Sequence, residues 1–206
     1  MKNFIDKNNI LSKYKNFDEV IIEIGSGDKK KFENSISIDI RDFDNVDLVG
    51  DIYEIICYFE SESVDLIYSS HCFEHLNDIS KLLQEISRTL KKDGILEVAV
   101  PHFSNPFYYS DPTHKTYFGL YTFSYFCHDN YFKRKVPHYQ DLISMEIIEA
   151  RLIFRSFRPR YITHIFKKFF EILFNLSVFF KEFYEENITN VVSCYEIKFK
   201  IKKIND

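Results

Sequence analysis

The chain has 206 residues, 45% hydrophobic and 28% charged, a composition that suits one globular domain rather than a disordered segment. Its formal net charge of −4 offers no cationic field for nucleic acid, so nucleic acid is excluded as an expected partner. Cys57, Cys72, Cys127 and Cys194 show no CxxC pairing, and Met1 to Tyr14 lacks the apolar stretch of a secretory signal; a reduced, cytoplasmic setting is expected.

In chain order, the apolar run Val20–Ile24 stops at Gly25-Ser26-Gly27, which predicts a buried strand entering a tight loop. A second strand is expected over Ser35–Ile40, a third over Val46–Val49 and a fourth over Val64–Tyr68. A helix follows, capped by Asn77 or Asp78, with Ile79, Leu82, Leu83, Ile86 and Leu90 on one face. Lys91 and Lys92 suit its C-terminal end, and Gly94 is expected to stop it. Ile95–Val100 reads as a fifth strand, closed by Pro101.

Strands alternating with crossovers predict an α/β, Rossmann-like doubly wound, mostly parallel sheet. The whole chain, 1–206, is read as a single domain. Residues 18–101 form its cofactor-binding half, 102–145 an aromatic-rich insertion or lid on the acceptor side, and 146–206 late strands and an aromatic helix. Between Gly27 and Ser35 there is scarcely room for a crossover helix, which usually takes a dozen or more residues. The first crossover should be a stub that leaves one side of the cofactor site open.

In such a sheet, ligands bind beyond the carboxyl ends of the strands. Four polar groups fall there: Glu23/Gly25/Ser26/Gly27, Asp39, Asp51 and Ser69/Ser70/His71. Paired glycines let a ligand approach the backbone closely. An acid ending the second strand can accept two ribose hydroxyls, with Ile40 beside it. Asp51 can accept from an adenine amino group while Ile52 packs on the ring. The longer GxGxxG of dinucleotide enzymes is absent.

The motifs EIGSGD, SIDI, VGDI, DLIYSSHCFEHL and LKKDGILEVAVP occur in the order seen in class I S-adenosylmethionine-dependent methyltransferases, which residues 20–101 resemble. The resemblance implies S-adenosyl-L-methionine as cofactor. Glu23, Gly25 and Gly27 would then border its methionine part, Asp39 its ribose and Asp51 its adenine.

Methyl transfer to a hydroxyl needs alignment and removal of a proton, for which histidine suits neutral pH. His71 and His75 follow the fourth strand, His102 the fifth, and His114 lies in Asp111-Pro112-Thr113-His114-Lys115. His102 and His114 are the favoured bases, His71 the third candidate, and Asp111 can orient a neighbouring imidazole. The DPTHK segment resembles one in methyltransferases encoded with bacterial surface-polysaccharide genes, which implies a sugar or glycan hydroxyl as acceptor. His71-Cys72-Phe73-Glu74-His75 also matches the H-x-x-E-H zinc-peptidase pattern. Because His71 directly follows a strand, its ring and that of His75 should diverge, and no metal is assigned.

The stretch Ile162–Phe183 carries Phe166, Phe169, Phe170, Phe174, Phe179 and Phe180, interrupted by Lys167, Lys168, Glu171 and Lys181, a pattern that argues against a membrane span. Three readings stay open for it: a helix packing on the sheet, a homodimer face, or peripheral contact with the inner membrane surface. The expected function is O-methylation of a sugar or glycan precursor. The alternatives are methylation of another small-molecule N or O nucleophile, or a catalytically silent binding or scaffold protein.

Overall fold

Ile36, Ile22, Ile67, Leu96, Ile201 and Ile147 stand side by side across one sheet, and all six are buried. The next row lies on the opposite face and is polar: Ser37, Glu23, Tyr68, Glu97, Lys200 and Glu149. Successive side chains of a strand point to opposite faces, so the two rows define an apolar face and a polar one.

The computed structural model describes residues 3–204. Its strands are β1 (Ile5–Asp6), β2 (Ile21–Ile24), β3 (Ile36–Asp39), β4 (Leu48–Val49), β5 (Val64–Ser70), β6 (Leu90–Pro101), β7 (Cys127–His128), β8 (Ile143–Ile153) and β9 (Glu196–Lys203). They form one sheet in the order β1-β4-β3-β2-β5-β6-β9-β8-β7. The run β4-β3-β2-β5-β6 is parallel throughout; β9 is antiparallel to both its neighbours, and β1 is antiparallel to β4. From β2 the chain winds one way through β3 and β4, then the other way through β5 and β6. The order therefore reverses between β2 and β5, the expected ligand position in a doubly wound sheet.

The helices are α1 (Ile10–Lys13), α2 (Ile52–Ile55), α3 (Ile79–Thr89), α4 (Tyr161–Phe174) and α5 (Val178–Asn187). Helix α3 buries Ile79, Leu82, Leu83 and Ile86 and packs against β6 and β8. No helix joins β2 to β3 or β3 to β4 among the described residues. Over β6, β9 and β8 the polar face of the sheet carries an open depression lined by Glu97, Lys200, Glu149, Lys198 and Arg151.

Some boundaries depart from the sequence reading. Helix α3 ends at Thr89, and Leu90 already pairs with Val64 of β5. Lys91 extends along the strand and pairs with Asp65 at 2.7 Å, so neither it nor Gly94 caps the helix. The aromatic stretch breaks into α4 and α5, because Ser177 turns the chain and caps α5 by accepting from the Phe180 N–H. Among the described residues no helix is long and apolar enough to cross a membrane.

Candidate active site

A cleft of about 510 Å³ opens beyond the carboxyl ends of β2, β3 and β4, within the usual range for small-molecule sites. Gly25, Gly27, Asp39, Ile40, Asp51 and Ile52 line one side, and His71, Cys72, His75 and Lys115 the other.

Gly25 and Gly27 both sit at positive φ, 70° and 61°, a conformation glycine adopts without steric cost. A Cβ on Gly25 would lie 2.6 Å from Cβ of Cys72, so the backbone there is packed against protein. A Cβ on Gly27 would meet nothing within 4 Å. Asp39 ends β3 and fixes this loop: its Oδ2 accepts from the Gly27 N–H at 2.9 Å and its Oδ1 from the Arg41 N–H at 2.8 Å. Asp51 caps α2 through the Tyr53 N–H at 2.9 Å and still faces the cleft. Ser26 is adjacent, and its Oγ is buried without a hydrogen-bond partner.

Besides Ser26, three of the sequence-predicted cofactor residues lie outside the cleft lining. Glu23 is 2% exposed on the polar face. Its carboxylate accepts from the Lys31 N–H, the Phe32 N–H and the Ser35 hydroxyl at 2.9, 2.6 and 2.8 Å. The acid thus ties down the loop that replaces a crossover helix. Ser69 is buried and donates to the Ile24 carbonyl at 3.0 Å, joining β5 to β2. Ser70 is half-buried and does not face the cleft.

The histidines separate into distinct environments. His102 is fully buried, with Nε2 2.8 Å from Glu185 and Nδ1 2.7 Å from Ser104 Oγ. Both ring nitrogens are engaged by Glu185 and Ser104, and the structure does not bring His102 to the cleft as the sequence reading expects. His71 does face the cleft, at a positive φ of 53°. Its Nε2 lies 2.8 Å from Glu196 and its Nδ1 3.4 Å from Glu74. Glu196 first, then Glu74, hold its imidazolium against the cost of burial and push its pKa up to about 9. His71 is therefore a cation near neutral pH and cannot serve as the base there.

His75 and His114 come together, their ring centroids 4.8 Å apart. Asp111 anchors this corner: its Oδ1 accepts from the Thr113 hydroxyl at 2.6 Å, and its Oδ2 lies 3.7 Å from His114 Nε2. The Glu74 carbonyl accepts from the Lys115 N–H at 2.7 Å, which holds the 113–116 turn against the segment after β5. Tyr108 packs on His114 with centroids 4.5 Å apart and the rings tilted by 38°, and Tyr117 and Tyr109 continue the aromatic group outward. His75, one of the four histidines the sequence places at the strand ends, is joined here by Glu74 and Thr113, which sequence reasoning does not single out; the Glu74-His75 pair after β5 is the signal for the first.

Residues 27–98 match the family model described as a methyltransferase domain. The fold is similar to that of a SAM-dependent methyltransferase from Archaeoglobus fulgidus, with a TM-score of 0.56 and 14% identity over 95% of this chain and 90% of that one. It is also similar to the YcgJ protein of Bacillus subtilis, with a TM-score of 0.52 and 14% identity over 97% of this chain and 100% of that one. No curated protein matches the sequence. Residues 27–98 thus match a methyltransferase domain, and the chain has the Rossmann-like fold of these solved methyltransferases.

Proposed function

Starting from that domain and its cleft, we propose that the enzyme transfers a methyl group from S-adenosyl-L-methionine to a hydroxyl of a sugar or glycan precursor. One observation carries the reading: a single cleft has the glycine loop, Asp39 and Asp51 on one wall and His75, with His114 behind it, on the other. The residues suit the cofactor. Gly27 leaves open the space that a side chain would fill, Ser26 Oγ is a buried polar atom free to bond, and each carboxylate oxygen of Asp39 retains acceptor capacity. When bound, the cofactor supplies an electrophilic methyl group on a sulfonium.

In this reading Gly25 and Gly27 border the methionine part, Asp39 holds the ribose hydroxyls, and Asp51 and Ile52 hold the adenine. The residues of 102–145 form the acceptor side. Tyr109, Tyr117 and Phe107 expose flat aromatic faces there, a surface on which sugar rings stack. With His71 cationic and His102 buried, the acceptor proton leaves toward the His75–His114 corner. Isothermal titration with S-adenosylhomocysteine, followed by methyl transfer from labelled cofactor to bacterial glycan precursors, tests the reading. Cofactor binding with label passing only to amines would replace the sugar hydroxyl by a nitrogen acceptor.

The same reading places the enzyme at an anionic membrane surface. Ile162, Ile165, Phe166, Phe169 and Ile172 of α4 are exposed rather than packed on the sheet. At the start of this helix Arg155, Arg158, Arg160 and Lys167 line a cavity of about 470 Å³. Exposed apolar groups beside a cationic rim match the acyl and headgroup layers of an anionic bilayer. Flotation with phosphatidylglycerol vesicles but not phosphatidylcholine vesicles is expected. Failure to float together with a dimer in sedimentation would assign the surface to a second copy instead.

A further inference from the structure

The His75–His114 corner has a feature that proton transfer alone does not use. Glu74 is 1% exposed, yet its Oε2 has no hydrogen-bond partner. Leaving a buried carboxylate oxygen unmatched is costly, and such atoms call for a specific partner. One carboxylate oxygen of Glu74 and one ring nitrogen each of His75 and His114 lie within 4.8 Å of one another.

The surroundings set both imidazoles in the same state. The Thr113 hydroxyl donates to Asp111 Oδ1, so its oxygen accepts from His75 Nδ1, 2.9 Å away. His114 Nδ1 donates to the Tyr108 carbonyl at 2.8 Å. Nδ1 of each ring is therefore the donating nitrogen, which leaves Nε2 as the atom that can ligate a cation. Metal-bound histidines show this arrangement, the other ring nitrogen donating to a carbonyl or, directly or through a relay, to a carboxylate. The turn is held by the Lys115 and Thr116 N–H groups on the Glu74 carbonyl.

We propose that Glu74, His75 and His114 bind a divalent transition-metal cation of the zinc class, with one position left open toward the cleft. Two imidazoles and one carboxylate with an open position form a ligand set that zinc and iron(II) accept. Asp111, with Oδ2 3.7 Å from His114 Nε2, adds negative charge beside the site. His75 also lines the cofactor cleft, so an acceptor hydroxyl on the open position would face the methyl donor. A cation there lowers the pKa of a coordinated hydroxyl and takes over the task of a free base. This role rests on the hydroxyl-acceptor reading; the binding site itself does not.

The test is metal binding, measured without cofactor or acceptor. Chelator-stripped protein is titrated with Co²⁺, following visible absorption, and with Zn²⁺ by competition against a chromophoric chelator. One ion per chain is expected, with a tetrahedral Co²⁺ spectrum. Glu74→Gln and His114→Ala should each weaken binding by at least a hundredfold, and Thr113→Val by about tenfold through loss of the relay. Circular dichroism of the apo variants verifies that they fold, and Glu74→Gln keeps the side-chain shape. Binding weaker than about 0.1 mM in the wild type, or unchanged in the Glu74→Gln/His114→Ala double variant, overturns the proposal. Tight binding without transfer to any hydroxyl would uphold the site and reject only the acceptor.

Discussion

The Ser35 hydroxyl donates to Glu23 Oε1 at 2.8 Å, closing the helix-free turn between β2 and β3. With the Lys31 and Phe32 N–H groups on the same carboxylate, three donors converge on one buried acid. Glu23 replaces, with a single side chain, the backbone ladder that a crossover helix would supply.

Glu23→Ala should therefore act on stability first. It leaves two backbone donors without their acceptor, and hydrogen bonds to a charged group are worth roughly 1.5–3 kcal/mol. The expected result in urea unfolding is a loss of about that size or more. Glu23→Gln keeps one acceptor oxygen and should lose less. Equal stability of the alanine variant and wild type would show the turn to be held elsewhere.

The two glycines should separate cleanly. Gly25→Ala forces a Cβ to 2.6 Å from Cys72, so it is expected to lower the melting temperature as well as cofactor affinity. Gly27→Ala meets only open space and carries the backbone strain of a left-handed residue, on the order of 1–2 kcal/mol. It should fold and lose binding of S-adenosylhomocysteine. Normal affinity in folded Gly27→Ala would remove this loop from the cofactor wall.

Asp39→Ala should weaken the cofactor by roughly 1.5–3 kcal/mol, a factor of about ten to a hundred and fifty. Part of that loss comes from the Gly27 N–H, which loses its acceptor. Calorimetry at several salt concentrations measures it, and unchanged affinity would exclude contact with the ribose.

The histidine variants should sort by environment. His114→Ala is expected to cut turnover by about 10²–10⁴-fold, with cofactor affinity near wild type. His102→Ala should instead destabilise the fold, because it breaks the buried pairing with Glu185. Single-turnover rates and urea midpoints on both variants decide it. Reversed assignments would return His102 to the reaction.

Asp47 gives a pH signature for the same helix-free half. Burial opposes its ionisation, but hydrogen bonds from Lys30 Nζ, the Ser37 N–H and the Ser37 hydroxyl outweigh it and hold the pKa below the usual carboxylate value. A depressed folded-state pKa stabilises above the unfolded value, and that contribution is lost as pH falls through the folded one. The stability gap between wild type and Asp47→Asn should be full near pH 7, begin to shrink below about pH 4 and be lost as pH falls through the depressed folded-state value. A gap that does not shrink at all between about pH 7 and about pH 2 would mean that packing, not charge, carries it.

Much of this could be read from the chain. The strand ends at Gly25, Asp39 and Asp51 follow from short apolar runs stopped by turn residues, and all three line the cleft. The missing first helix followed from simple counting between Gly27 and Ser35. Less legible was the use of acids and histidines. Glu23 and Asp39 lie on the same face of neighbouring strands, yet Glu23 pairs with Ser37, two residues before the end of β3, so only Asp39 reaches the cleft. His102 follows β6 as His71 follows β5, but Glu185, distant in sequence, draws it into the core. The corner of His75 and His114 depends on a 39-residue separation closed by backbone bonds from the 113–116 turn to Glu74, which no local period records. The alternation of β9, Glu-Ile-Lys-Phe-Lys-Ile-Lys-Lys, does record a sheet covered on one side only.

That uncovered side has a consequence for assembly. A sheet with one bare face is half of a sandwich, and two such faces stack at about 10 Å when their side chains are apolar. Here Glu97 lies between Lys200 at 3.0 Å and Lys31 at 3.4 Å, and Lys31 rests 3.8 Å from the Tyr68 ring centroid. Stacking would strip water from this row of paired ions, a cost their mutual attraction seldom returns. The charges that stand where helices are missing thus guard the face against its own copies, as charged edges guard strands against pairing.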